Sequence, residues 1–377
     1  MEPAFVDAGP NPPDHEGGAL RVMVVDDSAV IRGIFRRTLE EDPEIEVVAS
    51  VANGQQAVDS VTKHLIDVVL LDIEMPVMDG MTALPKILEA NPGVRVIMAS
   101  TLTERNAEIS LEALRQGASD YIPKPTAKYE IHSAEDFKRE LIGKVKALAN
   151  RKLGRAERDP ESTVALMPGN RGPKKPIELR APSIVPPRIL AIGSSTGGPQ
   201  ALFTLFKGLQ GSVSHLPVVI AQHMPKAFTG ILAEHLSKVA AVPCAEGVHG
   251  EKLEAGRIYI APGDYHMTIV PAASGHEIHL DQNPPENFCR PSVEPLFRSI
   301  SQEFGPAVLA LMLTGMGHDG LEGSQTLVEA GGTLIAQDEE TSIVWGMPGA
   351  VAEAGLCAEV LPIEEIAPRV VRMLRRD

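Results

Sequence analysis

Cysteine is scarce in this chain. There are three among 377 residues, Cys244, Cys289 and Cys357, and they lie far apart. No C-x-x-C pair occurs, so neither a zinc site of the usual spacing nor a disulfide framework is indicated. Long hydrophobic runs are missing too, since none approaches the roughly 20 residues that a bilayer span requires. The N-terminus has neither the basic start nor the apolar core of a secretory signal. These absences predict a cytoplasmic protein with no membrane insertion. Positive charge is in deficit: the formal net charge is −15, which gives no support for nucleic-acid binding. What remains is 44% hydrophobic and 23% charged, an ordinary globular composition in a chain long enough for two domains with real cores.

Residues 1–19 hold four prolines, three glycines and little apolar periodicity, and read as a disordered tail. From Leu20 the pattern alternates between strand and helix. Arg21–Val25, Glu46–Ala52, Val68–Ile73, Val94–Ala99 and Ala118–Ile122 predict strands, and Ala134–Lys152 a closing helix. This predicts a doubly wound, five-stranded parallel sheet over residues 20–152. Residues 153–187 contain seven prolines and few core formers, and read as a linker. A second α/β unit is predicted over 188–377, with a mostly parallel sheet and an antiparallel hairpin, His266–Val270 with His276–Leu280, around Ala273-Ser274-Gly275.

In an open parallel sheet, function collects at the C-terminal ends of the strands. In the first unit Asp26 and Asp27 end the first strand, Asp72 the third and Ser100 the fourth, and Lys124 follows the fifth. Three carboxylates brought together repel one another. A hard cation with oxygen ligands relieves that repulsion, and Mg²⁺ suits a site that also takes phosphate oxygens. With Asp72-Ile73-Glu74-Met75-Pro76-Val77-Met78-Asp79-Gly80 and Lys124-Pro125, this set resembles the receiver domain of bacterial response regulators. The resemblance implies that Asp72 accepts phosphate from a histidine kinase. It implies Mg²⁺ held by Asp26, Asp27, Asp72 and the Glu74 backbone carbonyl, and a switch pair at Ser100 and Tyr121.

The second unit opens with a short apolar strand and the turn Gly193-Ser194-Ser195-Thr196-Gly197-Gly198, followed by Pro199 and a helical run. Such a turn can cradle an anion or lift a nucleophilic hydroxyl clear of the backbone. No lysine of a P-loop follows the glycines, which counts against nucleotide. Read as G-x-S-x-G, the turn centres on Ser195. A serine nucleophile needs a base and an orienting acid. Of eight histidines in this unit, His223 and His318 follow strands as Ser195 does, and Asp319 shares a glycine-rich turn with His318. Position alone leaves either histidine as the base.

Residues 188–374 resemble the catalytic domain of the chemotaxis methylesterase family, CheB. The matching text is Gly193-Ser194-Ser195-Thr196-Gly197-Gly198-Pro199, Gln222-His223-Met224-Pro225, Arg290-Pro291-Ser292-Val293 and Thr314-Gly315-Met316-Gly317-His318-Asp319-Gly320. The resemblance implies Ser195 as nucleophile, His223 as base and Asp319 as orienting acid, with amides near Thr196 and Met316 facing the oxyanion and no cofactor at this site. It implies methyl-accepting chemoreceptors as substrate, a CheA-type histidine kinase as phosphodonor, and glutaminase activity beside the esterase. Ser194 and His318 stand where alanine and asparagine are common in the family. A DNA-binding regulator would need a short basic output domain, which this is not. A nucleotide-binding module would need the P-loop lysine that is missing here. A non-catalytic adaptor would have no use for an intact Ser195, His223 and Asp319.

Overall fold

The computed structural model describes residues 18–125, 131–156 and 177–375. Most of the expected tail and linker lies outside these residues. The first unit runs β1 (Leu20–Val25), α1 (Ala29–Glu40), β2 (Ile45–Val51), α2 (Gly54–Val61), β3 (Val68–Asp72), α3 (Gly80–Ala90), β4 (Arg95–Ser100), α4 (Glu104–Arg115), β5 (Asp120–Pro123) and α5 (Ile131–Ala156). Its sheet is five-stranded and parallel, in the order β2-β1-β3-β4-β5. Ser28, Asn53, Asp79 and Thr103 cap α1 to α4 by accepting a backbone N–H with the side chain. Every residue of β3 is buried, as expected of a central strand covered on both faces. The order reverses between β1 and β3, so their C-terminal ends frame the crevice where Asp26 and Asp72 sit.

The second unit runs β6 (Ile189–Ser194), α6 (Gly198–Leu209), β7 (Val218–Gln222), α7 (Lys226–Ala240), β8 (Cys244–Glu246), β9 (Ile258–Ile260), β10 (His266–Pro271), β11 (His276–Asp281), α8 (Val293–Phe304), β12 (Val308–Met312), α9 (Leu321–Glu329), β13 (Thr333–Gln337), α10 (Met347–Glu353), β14 (Glu359–Leu361) and α11 (Ile363–Leu374). Its parallel sheet has seven strands, β14-β13-β12-β6-β7-β9-β8, and the antiparallel hairpin β10-β11 stands apart as its own two-stranded sheet. The three-residue strands β8 and β14 lie at the two edges; segments so short show no periodicity in sequence. β6 is the switch point, flanked by β7 and β12. The turns after β6, β7 and β12 therefore meet over one crevice, and these carry Ser195, His223 and Asp319.

The two units share one apolar cluster, in which α4 packs against α6 and α7. Tyr121 of β5 stacks on Phe228 of α7, with ring centroids 4.3 Å apart and planes 14° from parallel. Gln200 donates to the Ala118 carbonyl at 2.9 Å. Among the described residues no helix is long and apolar enough to cross a membrane. Phe228 is fully buried in this seam, so Phe228→Ala is expected to cost about 3–5 kcal/mol. Thermal unfolding of the whole chain checks this, through a lowered first midpoint. An unchanged midpoint would mean the seam adds nothing to stability.

Candidate functional site

The crevice of the first unit is built from strand ends. Asp26 follows β1, and Asp72 is the last residue of β3; both are buried. Lys124 bridges them, its Nζ 2.6 Å from Asp72 Oδ1 and 2.8 Å from Asp26 Oδ2. The Lys124 amide donates to the Ser100 carbonyl at 2.7 Å, which ties the end of β5 to the end of β4. After Asp72 the chain folds back on itself, and a Cβ at position 80 would lie 2.0 Å from the Asp72 carbonyl oxygen, so only glycine fits there. Burial pushes the Asp72 carboxyl up to about 6; Lys124 opposes this and Asp26 adds to it. Oxygens of Asp26, Asp27 and Asp72 lie within 4.8 Å of one another. Asp72 Oδ2 and the Ser100 hydroxyl are buried without a hydrogen-bond partner among the described residues. An acid trio with an unsatisfied inner oxygen is a donor set that fits a hard divalent cation.

In the second unit β6 delivers the 194–198 turn in register with β7, Ser194 opposite Gln222. The Ser194 hydroxyl donates to Gln222 Oε1 at 2.6 Å. Gln222 Nε2 in turn donates to the carbonyls of Ser195 at 2.9 Å and His223 at 3.2 Å. One buried amide thus fixes both turns. The fit leaves no room for a side chain at position 198, where a Cβ would lie 1.9 Å from Gln222 Oε1. Gly197 takes φ +75° at the N-cap of α6, which aims that helix's N-terminus into the crevice. The Ser195 hydroxyl and the amides of Thr196 and Met316 make no hydrogen bond among the described residues, and all three residues line a cavity of about 440 Å³.

His223 Nε2 lies 2.8 Å from Asp319 Oδ2. Asp319 is buried and accepts three further bonds: Ser292 Oγ at 2.7 Å and Asn287 Nδ2 at 2.9 Å on Oδ1, and the Val293 amide at 2.6 Å on Oδ2. Burial works to raise the Asp319 carboxyl, but the His223 ring and the Asn287 and Ser292 bonds outweigh it and hold it at about 2. Burial works to lower the His223 imidazole, but the Cys289 sulfur and Asp319 outweigh it and lift it to about 10. Glu294, next on α8, accepts the amides of Gly320, Glu322 and Gly323, clamping the N-terminus of α9 directly after Asp319.

Ser195, His223, Asp319, Thr196 and Met316 all line the one cavity, together with Tyr121 of the first unit. His318, the other candidate base, is exposed and makes no side-chain hydrogen bond among the described residues. Tyr121 is buried in the seam between units rather than at the acid pocket, and burial raises its hydroxyl well above the ordinary value. Glu74 is exposed on the loop after Asp72. Four residues with site contacts carry no clear mark in the chain's spacing: Gln222, Asn287, Cys289 and Glu294. Glutamine after an apolar strand is the one visible signal, for the first; nothing marks the others.

The CheB methylesterase family profile matches residues 190–370, and the response regulator receiver profile matches 22–135. A Rhodospirillum rubrum protein named protein-glutamate methylesterase/protein-glutamine glutaminase 1 is 53% identical over 94% of this chain and 95% of its own length. The Azospirillum brasilense protein-glutamate methylesterase/protein-glutamine glutaminase is 53% identical over 97% of each. Among solved structures, the Thermotoga maritima CheB methylesterase catalytic domain is 35% identical, covers 50% of this chain and all of that one, and has a TM-score of 0.48.

The acid pocket generates a prediction with a defined sign. Because the Asp72 carboxyl is raised from 3.8 to about 6, the metal-free fold loses stability as pH rises through that window. Mg²⁺ binds only the ionised form, so its gain in melting temperature should be present at about pH 7.5 and shrink towards about pH 5. Thermal melts with and without Mg²⁺ at both pH values check this; an equal or larger gain at the lower pH would overturn it.

Proposed function

The chain belongs to the CheB family, a receiver domain joined to a methylesterase domain, and on that premise we propose how it works. The receiver domain spans 20–152 and the esterase domain 188–377, joined by a linker and working in the cytoplasm. The substrates are γ-glutamyl methyl esters, and glutamine amides, on methyl-accepting chemoreceptors. The observation that carries the esterase reading is the 2.8 Å contact between His223 Nε2 and Asp319 Oδ2, beside a Ser195 hydroxyl that makes no hydrogen bond among the described residues, in one cavity.

In the neutral ring Asp319 holds the proton on Nε2, and that leaves Nδ1 to act as base. His223 Nδ1 takes the Ser195 proton as Oγ attacks the γ-carbonyl. The amides of Thr196 and Met316 stabilise the oxyanion, and one such donor is worth roughly 3 kcal/mol. His223 then returns the proton to the leaving group, so methanol departs from an ester and ammonia from an amide. Water attacks the γ-glutamyl ester, the same base takes its proton, and Ser195 is released with the glutamate free. Asp319 stabilises the imidazolium in both halves.

The receiver domain regulates this site. A CheA-type histidine kinase supplies the phosphoryl group to Asp72. A bound Mg²⁺, held by Asp26, Asp27, Asp72 and the Glu74 carbonyl, would offset charge between that carboxylate and the phosphoryl oxygens. Three contacts support an inhibitory resting state. Arg139 of α5 lies 3.7 Å over the Phe288 ring at the cavity, Gly143 of α5 packs on Met316, and Tyr121 stacks on Phe228. Phosphorylation of Asp72, through Ser100 and Tyr121, weakens this cover.

Methanol release from methylated chemoreceptor membranes tests the chemistry. Ser195→Ala and Asp319→Asn should each lower it about 10⁴-fold. Ser194→Ala, which loses only the bond to Gln222, should cost less than about tenfold. Full activity in Ser195→Ala would overturn the assignment. For regulation, a small phosphodonor should raise the rate of the wild type and leave Asp72→Asn unmoved. An equal response in the two proteins would rule out Asp72 as the acceptor.

A further inference from the structure

His223 has two ring nitrogens and three claimants on them. Nε2 lies 2.8 Å from Asp319 Oδ2, so a proton leaving Ser195 has only Nδ1 to go to. That nitrogen is already taken, because the Cys289 sulfur lies 3.3 Å from it. The Ser195 hydroxyl, in the same cavity, makes no hydrogen bond among the described residues.

The loop that carries Cys289 is held from several sides. Glu286 and Cys289 exchange backbone hydrogen bonds at 3.2 and 2.8 Å, and the Glu286 carboxylate pairs with Arg298 at 2.6 Å. Asn287 and Phe288 both sit at positive φ, +50° and +63°, a conformation that side-chain-bearing residues keep only where their surroundings hold it. Asn287 donates to Asp319 Oδ1 at 2.9 Å. The Arg139 guanidinium, from the receiver helix α5, covers the Phe288 ring. One short loop therefore touches the acid, the base and the receiver domain in successive residues.

We propose that Cys289 is a positioning residue for the base: its thiol holds Nδ1 of His223 in the receiver-covered form and so withholds that nitrogen from Ser195. This rests on the Ser195–His223–Asp319 reading above. The thiol proton points at the lone pair that the serine proton needs, and the two cannot both have it. A neutral hydrogen bond of ordinary strength biases such a competition about fivefold. Arg139 on Phe288 then does more than cover the cavity, since it steadies the loop that presents the thiol.

The test uses the full chain without phosphodonor, reading kcat and KM for methanol release from methylated chemoreceptor membranes. Cys289→Ala removes the competing donor and should raise kcat about fivefold with KM unchanged. Cys289→Ser keeps a donor, and a better one, so its kcat should stay at or below wild type. Should the alanine variant not fold, Cys289→Val, which also lacks a donor, takes its role. A donor-less variant whose kcat is unchanged or lower overturns the proposal, most plainly if serine restores activity, because the thiol would then support the base. Ser195→Ala in the wild-type and Cys289→Ala backgrounds separates the two readings. Inactivity in both leaves Ser195 as nucleophile whichever way the cysteine result falls. Activity in Ser195→Ala together with a dead Cys289→Ala would overturn the serine reading itself and make Cys289 the nucleophile.

Discussion

The buried carboxylate of Asp319 is the group on which the esterase crevice depends. A lone carboxylate in that position would be neutralised or expelled, since removing its charge from water costs several kcal/mol. It stays ionised because three elements supply it with hydrogen bonds: His223 after β7, Ser292 and Val293 at the start of α8, and Asn287 from the loop before it. Each donor is also a constraint. The acid that keeps its charge through these bonds fixes where the β7 turn, the α8 N-terminus and the 286–289 loop can sit. Glu294 extends the same logic one turn further by satisfying the amides at the start of α9.

A second buried polar unit, Ser194 with Gln222, does for the turn after β6 what Asp319 does for the turn after β7. Its bonds run from one strand end to the carbonyls on either side of the crevice. A half-satisfied amide at this depth would be costly, whereas a fully paired one rigidifies both turns. This gives a physical account of serine at position 194. Its hydroxyl serves the scaffold, turned away from the cavity and satisfied by Gln222, so of the two serines only Ser195 has a hydroxyl with no partner among the described residues.

Much of the architecture was legible in the sequence, for identifiable reasons. Val68–Leu71 and Ile189–Ile192 are apolar runs of strand length bounded by turn residues, and such runs announce central parallel strands. Asp26, Asp72 and Lys124 were legible because strand ends in a doubly wound sheet converge at a known edge. The edge strands Cys244–Glu246 and Glu359–Leu361 were not, because three residues carry no periodicity. The contact of Cys289 with His223 was not either. It is made by a loop lying between a hairpin and a helix, and its geometry depends on two residues at positive φ that are not glycine. The seam formed by Tyr121 and Phe228 is a pairing between units, and each residue by itself reads as ordinary core.

The arrangement also constrains how a charge on Asp72 could reach the esterase crevice. A ligand or modification shifts a two-state equilibrium only through differential interaction with the two states. The Tyr121–Phe228 stack carries no formal charge and does not touch Asp72. Lys124 can sense charge on Asp72, because its ammonium is shared between Asp72 and Asp26 in the unmodified receiver. A phosphoryl group brings about −1 to −2 of added charge and stronger acceptors, and would draw that ammonium towards itself. Lys124 lies just beyond β5, three residues after Tyr121, with its amide already bound to the end of β4 at Ser100. Movement of the lysine therefore pulls on the strand that carries the stacked ring. On the other side of the cavity, Lys144 of α5 is buried between Asp120 and Glu140 and donates to the Tyr121 carbonyl at 2.7 Å. β5 and α5 are thus tied at the residue that meets Phe228. A small displacement there reaches Arg139 on the same helix, and through Phe288 the loop that touches both members of the proposed His–Asp pair.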